Sequence, residues 1–222
     1  MTTLRKQDAQ SEKAVAAFLD RYFYPAHVTD FQRIENKTTQ LKGVDVCFNY
    51  GEKRMLVDEK AAVHYVNKNL PTFAFELEFI GRDQQRHAGW LFDEDKLTEY
   101  YLLAWIWADQ PKHFTTEDIT KIDLLLVARK AIKDLLAKFQ LDAKKGKEVA
   151  DYLRKHQQFG VAGKSPNPFY YYHTKHLAEQ PINVIIRKSA LQQISQLGVT
   201  VEVERKASYT YKTKSTPRST IS

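Results

Sequence analysis

Two carboxylates and an amine stand on two short apolar stretches in the first third of the chain. Gly43-Val44-Asp45-Val46 carries Asp45, and Met55-Leu56-Val57-Asp58-Glu59-Lys60 carries Asp58 and Lys60. Residues two apart on a strand share a face. Asp58 and Lys60 therefore project together, while Glu59 points the other way. Tyr50-Gly51-Glu52 has turn character, and a hairpin through it brings Asp45 beside Asp58. Two carboxylates, with water or phosphate oxygens completing the shell, suit Mg²⁺ (or Mn²⁺ in its place), a hard cation seldom held in an all-protein cage. The main-chain carbonyl of Glu59 is a third candidate ligand. Such a cation polarises a scissile phosphate and lowers the pKa of a bound water. Lys60 is placed to orient or deprotonate that water and to screen charge developing on the phosphate. The competing reading is an exposed Asp58–Lys60 salt bridge of little energetic worth, since Asp-x-Lys is a common tripeptide.

The elements that must position these groups follow from periodicity. Val15, Phe18, Leu19 and Tyr22 recur at helical spacing, which predicts a helix over 9–24 stopped by Pro25. Residues 28–41 read as polar and extended. Strands are expected over 44–49, 54–62 and 72–80. In the last of these Phe73, Phe75, Leu77 and Phe79 alternate with Ala74, Glu76 and Glu78. Apolar runs predict buried strands over 100–107 and 122–127, and helices follow over 129–139 and 148–157. A loop over 159–167 leads on to a strand over 183–187, then a helix over 190–197 capped by Ser189 and ended by Gly198, and a final strand over 199–203. The expected fold is α/β, a central mixed β-sheet flanked by helices. Residues 1–206 form one domain, and 207–222 a basic tail without apolar periodicity, expected to be disordered.

Composition narrows the partners. The 222 residues carry a formal charge of +7, which permits a polyanionic partner such as DNA without requiring one. A single cysteine, Cys47, rules out an intrachain disulfide and supplies no zinc cluster. No run reaches membrane-spanning length, and the polar start MTTLRKQDAQSEK lacks a signal-peptide core, so a cytoplasmic protein with no membrane partner is expected. The absence of a Gly-rich phosphate loop or dinucleotide fingerprint argues against nucleotide-driven chemistry.

The arrangement resembles the PD-(D/E)XK, or restriction-endonuclease-like, nucleases, in particular uncharacterised bacterial and phage-type members. The matching strings are Gln40 before Gly43-Val44-Asp45-Val46, then Val57-Asp58-Glu59-Lys60-Ala61, then Pro71-Thr72-Phe73-Ala74-Phe75-Glu76-Leu77-Glu78. Gly89-Trp90-Leu91-Phe92 and Leu97-Thr98-Glu99-Tyr100-Tyr101 extend the match, which covers about residues 9 to 130. The resemblance implies a helix–strand–strand–strand–helix–strand core, a restriction-endonuclease-like arrangement. It implies Mg²⁺-dependent hydrolysis of nucleic-acid phosphodiesters, foremost by a DNA endonuclease. Asp45 and Asp58 would then be metal ligands, Lys60 the catalytic amine, and Glu12 the acid that such proteins often carry on the first helix. Members often pair to cut both strands, which makes a homodimer an option, although no interface signature is visible. The acid-x-Lys here has Asp58 where Glu is commoner, with Glu59 adjacent.

Around this core, Glu76 is a candidate to extend the metal site or hold Lys60, and Gln40 to orient water or touch a phosphate. Arg33, Lys37, Lys42 and Lys68 are candidates to follow a phosphate backbone. Phe169-Tyr170-Tyr171-Tyr172 could stack bases, although a half-buried strand is the commoner use of such a run. His173 and His176 read as a surface pair, and Trp90, Trp105 and Trp107 as core. The competing functions are a non-catalytic nucleic-acid-binding module or accessory subunit of the same fold, and an interaction protein with no nucleic-acid role.

Overall fold

The structure is a computed structural model that describes residues 3–162 and 167–203, with side chains from Asp8 onward. The tail expected over 207–222 lies outside the described residues. The first amphipathic stretch forms α1 (Thr3–Tyr22). Ala14, Val15, Phe18 and Leu19 form its buried stripe. Pro25 does not end helical structure. It enters the first turn of a short α2 (Tyr24–His27), where its missing N–H is not needed. The segment expected to be extended over 28–41 is divided instead. β1 (Thr29–Arg33) is followed by α3 (Lys37–Leu41), whose N-cap Asn36 accepts a hydrogen bond from the Thr39 N–H at 3.1 Å. β2 (Val46–Tyr50) and β3 (Lys53–Ala61) then form the expected hairpin, turning at Gly51 with φ +62°.

β4 (Thr72–Ile80) and β5 (Arg86–Ala88) come next, then the long apolar β6 (Tyr100–Ala108) and β7 (Ile119–Ala128). Helices α4 (Arg129–Ala137) and α5 (Ala143–Lys155) precede β8 (Gly160–Ala162), which falls where a loop was expected. β9 (Phe169–His173), β10 (Ile182–Arg187), α6 (Lys188–Ile194) and β11 (Ser195–Glu202) complete the described chain. Ser189 is not the cap of α6. The helix starts a residue before it, with Arg187 as N-cap.

The protein is α/β, as expected, but it has two sheets. The first runs β1-β2-β3-β6-β7-β11 and is mixed, because β3 and β6 are parallel and the other pairs antiparallel. The second runs β5-β4-β10-β9-β8 and is antiparallel throughout. β4 has the expected bounds, yet it does not pair with β3. β6 is buried on both faces and occupies the edge of β3. β4 instead lays Phe73, Phe75 and Leu77 flat against Tyr101, Leu103 and Trp105 of β6. The parallel crossover from β3 to β6 thus carries the β4–β5 hairpin where the resemblance implies a helix.

Strand alternation in β6 divides the interior. Tyr100, Leu102, Ala104 and Ile106 face α1 and α2, while Tyr101, Leu103 and Trp105 face the second sheet and α4 to α6. Two apolar cores therefore share one sheet. Each buried Leu, Ile or Phe contributes about 1.5–3 kcal/mol, so the strand ends that carry the acids are held by well-packed neighbours. Among the described residues no helix is long and apolar enough to cross a membrane.

Candidate active site

Asp45 lies one residue before β2, and its position is over-determined by the main chain. Its N–H donates to the Val57 carbonyl at 2.9 Å, and its carbonyl accepts from the Ile34 N–H at 2.8 Å. Just upstream, Gly43 has φ +77°, and a Cβ there would lie 2.3 Å from Thr98 Oγ1. Only glycine tolerates both the positive φ and the close approach. The Thr98 hydroxyl donates to the Gly43 carbonyl at 2.6 Å, which pins the turn that delivers Asp45.

β3 supplies the other members by alternation. Asp58 and Lys60 share a face, with Lys60 Nζ 2.6 Å from Asp58 Oδ1. The Asp58 side chain is only 5% exposed and that of Lys60 31%. Asp45 accepts the Glu59 N–H at 2.9 Å and lies close enough to Asp58 to feel its charge. Burial first, and then the Asp58 charge, push the Asp45 pKa up to about 6, against the pull of Lys60. The Lys60 amine loses hydration, which pulls its pKa down. Asp58, Asp45 and Glu12 more than reverse this, and the net direction is upward. Lys60 is therefore held as a cation, which favours charge screening and orientation over the base role considered from sequence.

These three groups line one open cleft of about 1440 Å³. Glu12, Gln40 and Glu76 line it too, as the sequence suggests. Glu12 is solvent-exposed at the α1 wall, yet the protein mass around it raises its pKa, with Lys60 opposing. Gln40 donates its amide to the Ile34 carbonyl at 2.7 Å, which makes it a brace of the loop before Asp45. Glu76 projects from β4, and burial pushes its pKa up to about 7 while Lys60 and Lys96 pull it down.

Glu78 does not share that face. The β4–β10 register slips between Ile182 and Asn183, so that Glu78 and Glu76 pair with consecutive residues. This bulge rotates the strand. It sends Glu78 away from the cleft to Arg86 at 2.5 Å and Arg154 at 2.7 Å. His173 is likewise not part of a surface pair. It ends β9, is buried, and holds the Gln158 carbonyl through Nδ1 at 2.9 Å.

Glu59 points away from Asp58 and Lys60 as strand alternation predicts, and Arg33 has partners that the sequence did not show. The Glu59 carboxylate lies on the α1 side, bound by Arg33 at 2.7 Å and by the Tyr24 hydroxyl, which leaves only its main-chain carbonyl for a metal. Arg33 is 28% exposed and is engaged by Glu59 and by Asp20 at 2.5 Å. It joins an internal ion triad and also lines the cleft. Lys37, Lys42 and Lys68 are exposed and stand outside the cleft lining.

The cleft also contains residues that sequence reasoning passed over. Trp90 was read as core, yet it lies half-buried in the wall with Lys60 Nζ 5.2 Å from its ring centroid, a cation–π contact. Its turn is seated by Gly89, where a Cβ would lie 2.2 Å from the Glu76 carbonyl oxygen. Lys96, held by the Leu41 carbonyl at 2.7 Å, adds a further cation. The Gly-Trp string was the available signal for Trp90. Lys96 carried none.

No group of three or more His, Cys, Asp and Glu gathers into a complete metal cage among the described residues. What converges is the oxygen pair of Asp45 and Asp58. That donor set fits a hard divalent cation that keeps much of its water, and does not fit a soft one. Comparison of the chain with protein-family models, with curated proteins and with solved structures finds no match.

Proposed function

We propose that the chain is a metal-dependent nuclease that hydrolyses nucleic-acid phosphodiester bonds, foremost those of DNA, on a restriction-endonuclease-like core. One observation carries the reading: Asp45, Asp58 and Lys60, from two paired strands, line one open cleft, with Lys60 bonded to Asp58 and Asp45 within reach of the charge of both. The first sheet supports it, with an N-terminal helix packed on an antiparallel β1-β2-β3 meander, one acid just ahead of β2 and the acid-x-Lys on β3. The helix missing from the β3–β6 crossover is the departure from the pattern.

Asp45 and Asp58 would hold Mg²⁺, or Mn²⁺ in its place. When bound, the ion supplies a Lewis acid for the phosphate and a more acidic water. The protein's own groups do the rest. Lys60 stays charged and offsets negative charge that develops on the phosphate oxygens. Trp90 covers Lys60 and limits where its amine points. Glu76 ionises near pH 7 and is suited to exchanging a proton within the cleft at working pH.

The test is a cleavage panel over duplex DNA, single-stranded DNA and RNA with Mg²⁺ or Mn²⁺, against an EDTA control. Product should form with metal and fall at least about tenfold in Asp58→Ala, since losing a ligand costs no less than losing an outer-shell partner, and also in Lys60→Ala, which removes the cation that offsets developing charge. Cleavage unchanged in both variants would refute the assignment. Salt-sensitive binding with no product under any metal would select the non-catalytic binding module.

A further inference from the structure

The cluster of acids leaves the opposite wall of the cleft unexplained, and that wall is aromatic. In β9 the four rings divide by alternation. Phe169 and Tyr171 enter the core between the sheets, whereas Tyr170 and Tyr172 line the cleft, each partly exposed. In β10, Ile182, Val184 and Ile186 are buried, while Asn183 and Ile185 line the cleft. The registers set these residues in rows: Tyr172 pairs with Asn183, which pairs with Glu76, and Tyr170 pairs with Ile185, which pairs with Ala74. Past the bulge, Phe79 also lines the cleft and stacks on His87, with ring centroids 5.4 Å apart and planes 26° apart.

Spacing makes this a platform and not a scatter. Neighbouring strands lie about 4.8 Å apart, so Tyr172 stands roughly 10 Å from Glu76, and Tyr170 about 7 Å from Tyr172 along the strand. The Phe79–His87 pair lies toward the β5 side of Glu76 and the two tyrosines toward the β8 side. An antiparallel sheet that faces solvent ordinarily presents polar residues there. This one presents rings to the cleft that also holds Asp45, Asp58 and Lys60.

We infer that the second sheet is a stacking platform for unpaired bases, so that the cleft takes a single nucleic-acid strand whose backbone passes the acid cluster. Bases within a duplex keep their faces stacked on one another and show only their edges, whereas the bases of an unpaired strand can lie on aromatic side chains. Asn183, between Tyr172 and Glu76, offers amide donors and an acceptor to a base edge. The inference rests on the nuclease reading of the same cleft, and adds the form of the substrate.

The experiment measures binding and cleavage separately on the full chain. Fluorescence anisotropy in EDTA, where nothing is cut, compares a labelled DNA strand, the same sequence as RNA, and the DNA duplex. The proteins are wild type, Tyr170→Ala/Tyr172→Ala and Tyr170→Phe/Tyr172→Phe. Wild type should prefer an unpaired strand, and the two DNA and RNA arms show which sugar it takes. The double alanine variant should bind that strand at least tenfold more weakly, the scale of stacking on aromatic rings. The phenylalanine variant should keep the affinity. The salt dependence should be unchanged, because no phosphate contact is lost. Thermal melting confirms that the variants fold, since neither ring belongs to the core. Equal affinity for strand and duplex, an alanine variant that binds as wild type does, or no retention of any oligonucleotide overturns the inference. Tyrosine-dependent strand binding with no Mg²⁺-dependent product would remove the nuclease reading and keep the platform. Duplex cleavage indifferent to the tyrosines would do the reverse.

Discussion

Glu76→Gln should stabilise the protein at alkaline pH and do nothing at acid pH. A Glu carboxyl ionises near 4.5 in an unfolded chain, and burial in the cleft wall moves Glu76 up to about 7. Each unit between the two is worth about 1.4 kcal/mol. The ionised form would thus cost the fold about 3 kcal/mol in the fully buried limit. Glu76 is only partly buried, and water screening reduces this to roughly 1–2 kcal/mol. The sign follows from proton counts. Below about pH 4.5 the carboxyl is neutral in both states and carries no penalty. Between 4.5 and 7 the unfolded chain gives up its proton first, so stability falls as pH rises, and above about 7 the loss is complete. Glutamine keeps the shape and cannot ionise. Urea unfolding in EDTA should therefore show the variant more stable by about 1–2 kcal/mol at pH 8 and equal to wild type at pH 4, with a midpoint rise of roughly 2–8 °C at pH 8 in a thermal scan. A difference that is the same at both pH values, or a variant less stable at pH 8, would refute the assignment of the penalty to this carboxyl.

Further outcomes follow from single contacts. Arg33→Ala should destabilise the fold by roughly 1–3 kcal/mol, since it strands Glu59 and Asp20 around a partly buried site; its effect on the salt dependence of DNA binding should be nil, and a slope reduced by about one would restore Arg33 to the phosphate track. Gly43→Ala should cost about 1–3 kcal/mol in urea unfolding and lower cleavage with it, because the new Cβ meets Thr98 and shifts the turn before Asp45; wild-type stability and activity together would show that the turn is more tolerant than its φ implies. Trp90→Leu should lower kcat more than it raises KM, because the ring acts through Lys60 and not on substrate; a change confined to KM would place Trp90 against the substrate instead.

How far the site could be read from sequence depended on range. The β2–β3 hairpin is local: a turn at Gly51 and period-two alternation suffice to place Asp58 and Lys60 on one face and Asp45 nearby. β4 was equally legible as a strand, since Phe73, Phe75 and Leu77 alternate cleanly, but its partner was not. Alternation says which face is apolar and is silent on whether that face meets a helix or another sheet. The same gap hid the bulge that separates Glu78 from Glu76, because the slip is set by pairing with β10 about a hundred residues later. The partners of Arg33 were hidden for a related reason. A basic residue near an active strand looks available to phosphate until its partners on α1 and β3 are known. Tyr170 and Tyr172 were named in a run whose ordinary use is a half-buried strand, and the structure sends alternate rings of that run into the core and into the cleft lining.

The treatment of buried acids elsewhere in the molecule sets the cleft apart. Glu59 is met by Arg33 and the Tyr24 hydroxyl, Glu78 by Arg86 and Arg154, and Asp123 by Lys188 and Thr200, with the Asp123 pKa lowered in consequence. Each of these acids has cationic or hydroxyl partners of its own. In the cleft the Asp45, Glu12 and Glu76 pKa values are all raised, with loss of hydration the largest cause, and Lys60 is the cation whose charge all three feel. A fold able to give Glu78 two arginines has left these carboxyls with a shared lysine on the walls of an open cleft. Stability alone does not account for that, because each raised carboxyl is a cost that glutamine or asparagine would relieve. A further positive charge supplied from outside would offset it, and perturbed carboxyls gathered in a cleft are a mark of functional sites. The imbalance supports the metal-dependent reading independently of any sequence string, and it makes a direct demand: Mg²⁺ should raise the wild-type melting temperature by an increment that grows with concentration and disappears in Asp45→Asn/Asp58→Asn. An increment that survives in that variant would place the ion elsewhere.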